Sequence, residues 1–319
     1  MQQDIIILDG ERLKMNILLL GKNGQLGREL QRALAPLGTL VTLDRYGQHD
    51  LCGDLTNLDG LQKTIKALSP DIIVNAAGYT AVDQAENDYE IAHCVNATAP
   101  SVMAQEAKNL GALFVHYSTD YVLDGSGTHL WKEDDIALPL NAYGKSKLQG
   151  EQLIQQSGCD HFIFRTSWVY GRHGNNFIKT IMRLAHERDE LNIVCDQIGV
   201  PTGAELLADV TAHAIHLFGH EKQSTLANEK QLSGIYHLAP QGQTSWFDYA
   251  LFIIEQAKKS GVEFKLNTIN PVVSSDYKTI ATRPLNSRLD TGKLSETFKL
   301  YLPDWHLGVN RVVSELLGK

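Results

Sequence analysis

Short apolar runs alternate with longer stretches of helical spacing through the first half of the chain. Asn16 to Leu20 is apolar at nearly every position and stops at Gly21, as expected of a strand buried on both faces. Leu40 to Leu43, Asp71 to Val74, Leu113 to Tyr117 and Phe162 to Arg165 repeat that pattern. Between them, Arg28 to Leu37, Leu58 to Leu68 and Asn96 to Asn109 carry apolar residues three and four apart and predict helices. Strands alternating with helices predict an α/β fold, a doubly wound parallel sheet with right-handed crossovers. After Gly171 the alternation loosens. Asn176 to Glu187 and Ala204 to Phe218 read as helices, and Ile235 to Leu238 suits a strand. Ser245-Trp246-Phe247-Asp248 looks like a capped helix start running to about Lys259, and Leu307 to Leu317 is amphipathic.

Composition narrows the class. At 319 residues with 43% hydrophobic and 21% charged, the chain can bury a sizeable core as an ordinary soluble protein. A net charge of -8 argues against nucleic acid as a partner, for which a basic stripe is expected. No apolar run approaches the ~20 residues that span a bilayer. Cys52, Cys94, Cys159 and Cys195 stand far apart without a Cys-x-x-Cys pair, which is thiol usage for a reducing compartment, the cytoplasm. Residues 1–14 stand outside the pattern that opens at Met15, as an appendage or an early start, and carry no signal-peptide cleavage site. Glu221 to Ser233 is the best loop or insertion candidate.

The candidate chemistry gathers at the carboxyl ends of the predicted strands. Gly21-Lys22-Asn23-Gly24-Gln25-Leu26-Gly27 lies between a strand and a helix, where glycines let the backbone approach a pyrophosphate seated on the helix N-terminus. Asp44-Arg45 ends the second strand. An acid there binds an adenosine ribose and an adjacent Arg can receive a 2′-phosphate, so NADH and NADPH both remain open, with a solvated turn the plain alternative. Gly53-Asp54-Leu55 follows, its Asp expected near the adenine. The third strand ends in Asn75-Ala76-Ala77-Gly78-Tyr79-Thr80, small residues that allow close packing against a flat cofactor. Ser118-Thr119-Asp120-Tyr121 ends the fourth. Tyr143 and Lys147 stand four apart, so a helix would place a phenol and an ammonium on one face. A phenol ionises near 10, too high for proton transfer at neutral pH unless a nearby positive charge lowers it. Alone, such a pair is ordinarily a solvated surface; its company changes that. His116 falls in a buried strand and reads as core.

The glycine turn, Asn-Ala-Ala, Ser-Thr-Asp and Tyr-x-x-x-Lys, in this order and at these separations, resemble the extended short-chain dehydrogenases/reductases with their Rossmann-type sheet. Longer stretches resemble, more narrowly, the dTDP-4-dehydrorhamnose reductase family. They are residues 75–83, 117–122, 165–171, Asp196-Gln197, 201–209 and Arg283-Pro284 with Asn286-Ser287-Arg288-Leu289. The resemblance runs from about Met15 to the C-terminus. It implies reduction, by NADPH or NADH, of a C4 ketone on a dTDP-linked deoxysugar. Tyr143 would donate the proton, Lys147 lower the Tyr143 pKa and hold the nicotinamide ribose, and Thr119 bond the carbonyl oxygen. Gly21, Asn23, Gly24, Gln25, Leu26, Gly27, Asp44, Arg45, Asp54, Leu55, Ala76, Ala77, Gly78, Thr80 and Tyr117 match cofactor positions. Val82, Asp120, Tyr121 and Trp168 fall on the substrate side, with Asn176, Phe177 and Arg288 toward the nucleotide. A core aromatic is the even alternative for Trp168, and a surface salt bridge for Arg288. Some members of that family bind Mg2+ through glutamates at a subunit contact. Glu29 and Glu205 match, although an exposed carboxylate is the ordinary reading of each. A homodimer is implied in the same way.

The resulting division is a cofactor-binding domain over 15–167 with return segments near 203–240, and a smaller, interleaved substrate domain mainly over 168–319. Two other functions fit the same motifs. One is a different nucleotide-deoxysugar ketoreductase or epimerase; the other is a non-catalytic regulatory subunit on the same fold, which would have no need of Thr119, Tyr143 and Lys147 together.

Overall fold

Leu18 and Leu20 face one side of the first strand while Ile17 and Leu19 face the other, and both sides are covered. That is the arrangement a continuous apolar run predicts. The computed structural model describes residues 15–223 and 232–319. The N-terminal extension and residues 224–231, most of the expected loop, lie outside the described residues.

In chain order the elements begin with β1 (Met15–Leu20), α1 (Gln25–Leu34), β2 (Gly38–Leu43), α2 (Leu58–Leu68), β3 (Ile72–Asn75), α3 (Tyr89–His93), α4 (Ala99–Leu110) and β4 (Leu113–Thr119). Next come α5 (Ala142–Ser157), β5 (His161–Thr166), β6 (Val169–Tyr170), α6 (Phe177–Glu187), β7 (Glu190–Val194), β8 (Ile198–Gly199), β9 (Thr202–Gly203) and α7 (Ala204–Gln223). The chain closes with β10 (Gly234–His237), β11 (Thr244–Ser245), α8 (Trp246–Lys259), β12 (Thr268–Val272), α9 (Gly292–Phe298) and α10 (Trp305–Leu316). The main sheet has six parallel strands in the order β10-β5-β4-β3-β1-β2. The order reverses beside β1, which places the crevice for a ligand at the carboxyl ends of β1 and its neighbours.

Two departures from the sequence reading have plain causes. The first helix starts at Gln25 rather than Arg28, because extended Gly24 acts as its N-cap and the last glycine of the turn is already helical. The parallel pair β7–β12 was not anticipated: its strands are short, partly exposed and separated by some seventy residues, so neither carries a strong local pattern. The later chain also returns to the sheet. α7 packs along α1, and β10 extends the sheet beside β5. Helices α6, α8 and α10 enclose a separate apolar cluster with β7, around Tyr249, Ile253 and Val313.

Candidate active site

A cleft of about 770 Å³ runs along the carboxyl edge of the sheet. One end of it is built by the glycine turn. Gly21 has a φ of +87°, and a Cβ there would stand 2.7 Å from the amide nitrogen of Ala77. A Cβ on Gly27 would lie 2.0 Å from the carbonyl oxygen of Gly21, so helix and turn touch through backbone alone. Gly24 caps α1 without a side-chain bond, leaving the first amide groups of the helix available to a phosphate. Such a cradle fits a dinucleotide. At the end of β2, Asp44 accepts from Asn23 Nδ2 at 2.8 Å and from the Tyr46 amide at 2.9 Å. Arg45 is exposed and pairs with Asp54 at 3.5 Å.

The reactive end is held by α5. Asn141 caps that helix by accepting from the Gly144 amide at 2.8 Å, and Gly144 is pressed against the Tyr121 carbonyl, 2.2 Å from where a Cβ would be. This contact brings the helix start onto the segment after β4. Tyr143 and Lys147 share one face and are both buried, 9% and 5% exposed. Lys147 Nζ donates to the Tyr117 carbonyl at 2.7 Å. Burial pulls the Lys147 ammonium down to about 8, opposed by the Glu151 carboxylate one turn further along. Thr119 donates to Asp120 Oδ1 at 3.0 Å and accepts from the Tyr121 amide at 3.2 Å. Burial pushes the Asp120 carboxyl up to about 6.

The expectation that Lys147 lowers the Tyr143 pKa is not met. Burial raises the phenol above its ordinary value; a bond with Thr119 opposes the shift and the Asp120 charge adds to it. A phenol so placed is neutral across the physiological range, which is the protonation state a proton donor needs. The hydrogen bond of the lysine goes instead to the Tyr117 carbonyl in β4.

Behind this face the helix is tied to the sheet by polar groups. Glu151 accepts from Arg165 Nε and Nη2 at 3.0 and 2.7 Å in a pair that is almost wholly buried. Asn96, fully buried in the wide turn Cys94–Thr98 between α3 and α4, accepts from the Tyr79 amide and donates to the Tyr79 carbonyl and to Ser146. That turn has π-type winding, a feature often found at functional sites. His116 is core as expected: it contacts Asn75 at 3.2 Å, and burial first, then the Lys147 charge, lowers its pKa.

The cleft gathers Gly21, Asn23, Gly24, Gln25, Leu26, Asp44, Arg45, Ala76, Ala77, Gly78 and Thr80 with Tyr117, and on the substrate side Val82, Thr119, Asp120, Tyr121, Tyr143, Lys147 and Trp168. Other expected residues lie off it. Gly27 packs beneath the turn, Leu55 belongs to the core, and Asp54 accepts from Thr56 while pairing with Arg45. Asn176 caps α6 and donates to Gln25 and Gly171, with Phe177 stacked on Tyr249 behind it. Arg288 donates to Gln243 and Asn286 instead of facing the cleft. Lining residues that sequence reasoning missed include Tyr46, Ser118, Thr166, Leu207 and Trp246. Ser118 and Thr166 were legible as polar residues ending predicted strands. Leu207, within residues 201–209, and Trp246, at the capped helix start, arrive from distant segments.

Glu29 and Glu205 do share a pocket, of about 220 Å³, but as partners of arginines. Arg32 donates to Glu29 at 3.2 Å, and Arg311 pairs with Glu205 and with Glu315. Among the described residues no cluster of three or more acidic, His or Cys side chains is placed to hold a metal ion. Within this chain each of the two carboxylates is already paired with an arginine.

Residues 15–317 match the RmlD substrate binding domain family. The dTDP-4-dehydrorhamnose reductase of Escherichia coli strain K12 is 51% identical over 302 residues, covering 95% of this chain and 98% of that protein. That of Burkholderia thailandensis is 43% identical over 96% of this chain and 100% of its own length. The Bacillus anthracis dTDP-4-dehydrorhamnose reductase, solved in complex with NADP, superposes with a TM-score of 0.83 at 35% identity, over 95% of this chain and 99% of that one. With a family match over residues 15–317 and this extent of identity, the chain belongs to the RmlD family of dTDP-4-dehydrorhamnose reductases.

Proposed function

We propose that this chain reduces the C4 ketone of dTDP-4-dehydro-β-L-rhamnose to dTDP-L-rhamnose, with NADPH or NADH, as the last step of dTDP-rhamnose synthesis. The observation that carries the reading is the convergence of Tyr143, Thr119 and Lys147 at the floor of one cleft whose other end is the glycine turn. When bound, the reduced nicotinamide supplies hydride to the carbonyl carbon. Charge then grows on the carbonyl oxygen, and the groups able to meet it are the Tyr143 phenol and the Thr119 hydroxyl. Burial keeps the phenol protonated until that charge develops, so the proton moves from Tyr143 Oη to the substrate oxygen. Lys147, still ammonium at neutral pH, holds the Tyr117 carbonyl and has donors left for ribose hydroxyls. Low dielectric around the buried pair strengthens each of these interactions.

In this reading residues 15–167 and the return segments bind the cofactor, and the remaining chain binds the sugar nucleotide. No helix among the described residues is long and apolar enough to cross a membrane, and the substrate is a small soluble nucleotide, so we assign the protein to the cytoplasm. A homodimer follows from the family resemblance and is read out by solution mass. The deciding test follows nicotinamide absorbance with the 4-keto sugar nucleotide made in place by its upstream enzymes, NADPH and NADH being supplied in turn. Consumption with dTDP-L-rhamnose as product is expected. Tyr143→Phe should lower turnover by about 10²–10⁴-fold while leaving cofactor affinity unchanged. Near-normal turnover in that variant would remove Tyr143 from the role of proton donor.

A further inference from the structure

Among the described residues, Trp168 is the bulky residue of the cleft wall with a left-handed backbone, its φ being +48°. A large side chain in that region is strained, and such strain persists only where the surroundings over-determine it. Here the surroundings are an aromatic stack. The indoles of Trp168 and Trp246 lie 3.7 Å apart between centroids and 16° from parallel. Both rings line the cleft and both are half-buried.

The stack is assembled by three distant segments. β8 and β11 pair antiparallel with Gly199 opposite Thr244 and Ile198 opposite Ser245, so α8 begins immediately beyond the residue that faces Ile198. Trp246 is the first residue of that helix, and its backbone is fixed by a reciprocal cap. Ser245 accepts from the Asp248 amide at 3.0 Å and donates to the Asp248 carboxylate at 2.7 Å. Gly199 leaves room for the other indole of the stack: a Cβ there would stand 2.9 Å from Cε2 and Cζ2 of Trp168. On its far side Trp246 meets Phe177 at 4.6 Å, and Phe177 in turn stacks on Tyr249. The row therefore runs from the core of the second half out to the cleft and ends at Trp168.

We propose that Trp246 is a positioning residue for the sugar nucleotide: by stacking on Trp168 it holds that indole as a fixed, flat wall of the substrate end of the cleft. The inference rests on the sugar-nucleotide reading of the site given above. The flat face of an indole suits the carbon face of a pyranose or the face of a pyrimidine base. Trp246 touches no reacting atom; it acts through Trp168.

The test compares Trp246→Ala, Trp246→Leu and Trp246→Phe with the wild-type enzyme. In Trp246→Ala the KM for the sugar nucleotide should rise roughly tenfold, with kcat and the KM for NADPH within about twofold of wild type. Trp246→Phe, which keeps a stacking ring, should recover most of that loss, and Trp246→Leu should not. If the alanine variant does not fold, the Phe and Leu pair carries the comparison alone. Stacked indoles also give an exciton couplet in circular dichroism. The couplet should vanish equally in Trp168→Phe and Trp246→Phe, and shift in the wild type when dTDP is added. Unchanged KM values in the folded alanine or leucine variant overturn the proposal, as does a parallel loss of NADPH binding and turnover. Wild-type protein that neither binds dTDP nor reduces the sugar nucleotide overturns the functional reading as well, whereas wild-type turnover with silent Trp246 variants overturns this inference alone.

Discussion

Lys147 Nζ donates a hydrogen bond to the Tyr117 carbonyl at 2.7 Å, one helical turn beyond Tyr143. The lysine thereby pins the catalytic helix α5 to the end of β4, where Thr119 and Asp120 leave the sheet. Two residues that a spacing pattern treats as a unit thus have different partners in the fold.

The placement of Lys147 makes the reaction sensitive to alkali. Its ammonium, the form that donates to the carbonyl and to ribose hydroxyls, is present below about 8 and lost above it. The kcat/KM for NADPH should therefore fall with an apparent pKa near that value, because this ratio reports ionisations of the free enzyme. Lys147→Arg, whose charge persists, should lose this limb. A wild-type profile that stays flat well beyond it would mean that the lysine charge is dispensable.

Asp120 imposes a second pH dependence, on stability. Its carboxyl ionises at 3.8 in an ordinary setting and near 6 in the fold. Between those values the unfolded chain has released the proton that the folded one retains. Folding is penalised increasingly as pH rises through the interval, and the full penalty holds above it. Asp120→Asn carries no such term. Its melting temperature should gain on the wild type between the acid and the neutral end of that range; parallel curves would contradict the shift.

Arg45 is exposed, paired only with Asp54, and stands at the end of β2 beside Asp44. If it receives a 2′-phosphate, Arg45→Ala should raise the KM for NADPH roughly tenfold and leave that for NADH nearly unchanged, since a charge-assisted bond is worth about 1.5–3 kcal/mol. Equal effects on the two cofactors would point the guanidinium elsewhere.

The Glu151–Arg165 pair lies beneath the catalytic face with 1% and 4% side-chain exposure. Removing one partner leaves an uncompensated buried charge, so Glu151→Gln or Arg165→Met should cost about 3–5 kcal/mol in urea unfolding. The double variant Glu151→Leu/Arg165→Met, of similar volume, should recover much of that. Single variants as stable as the wild type would show that water reaches the pair.

The first half of this fold was legible because its physics is local. A parallel strand buried on both faces must be apolar throughout, and a phosphate-binding turn must use glycine where a Cβ would strike backbone, as at Gly21 and Gly27. Asn16 to Leu20, the turn behind it, helix Leu58 to Leu68 and the site motifs at strand ends could therefore be read from residue types and spacing.

The sequence by itself thus determined the α/β sheet, the cofactor cradle and the membership of Thr119, Tyr143 and Lys147 in one site. Tertiary structure alone decided what those residues face. Lys147 shares a helix face with Tyr143, but only the approach of β4 gives it the Tyr117 carbonyl as partner, and only burial sets the phenol's protonation. Likewise Arg32 and Arg311 claim the carboxylates of Glu29 and Glu205, and Trp246 reaches Trp168 from 78 positions away in the chain. Contacts of that separation carry no periodic signature, because packing across distant segments, not the neighbouring residues, selects them.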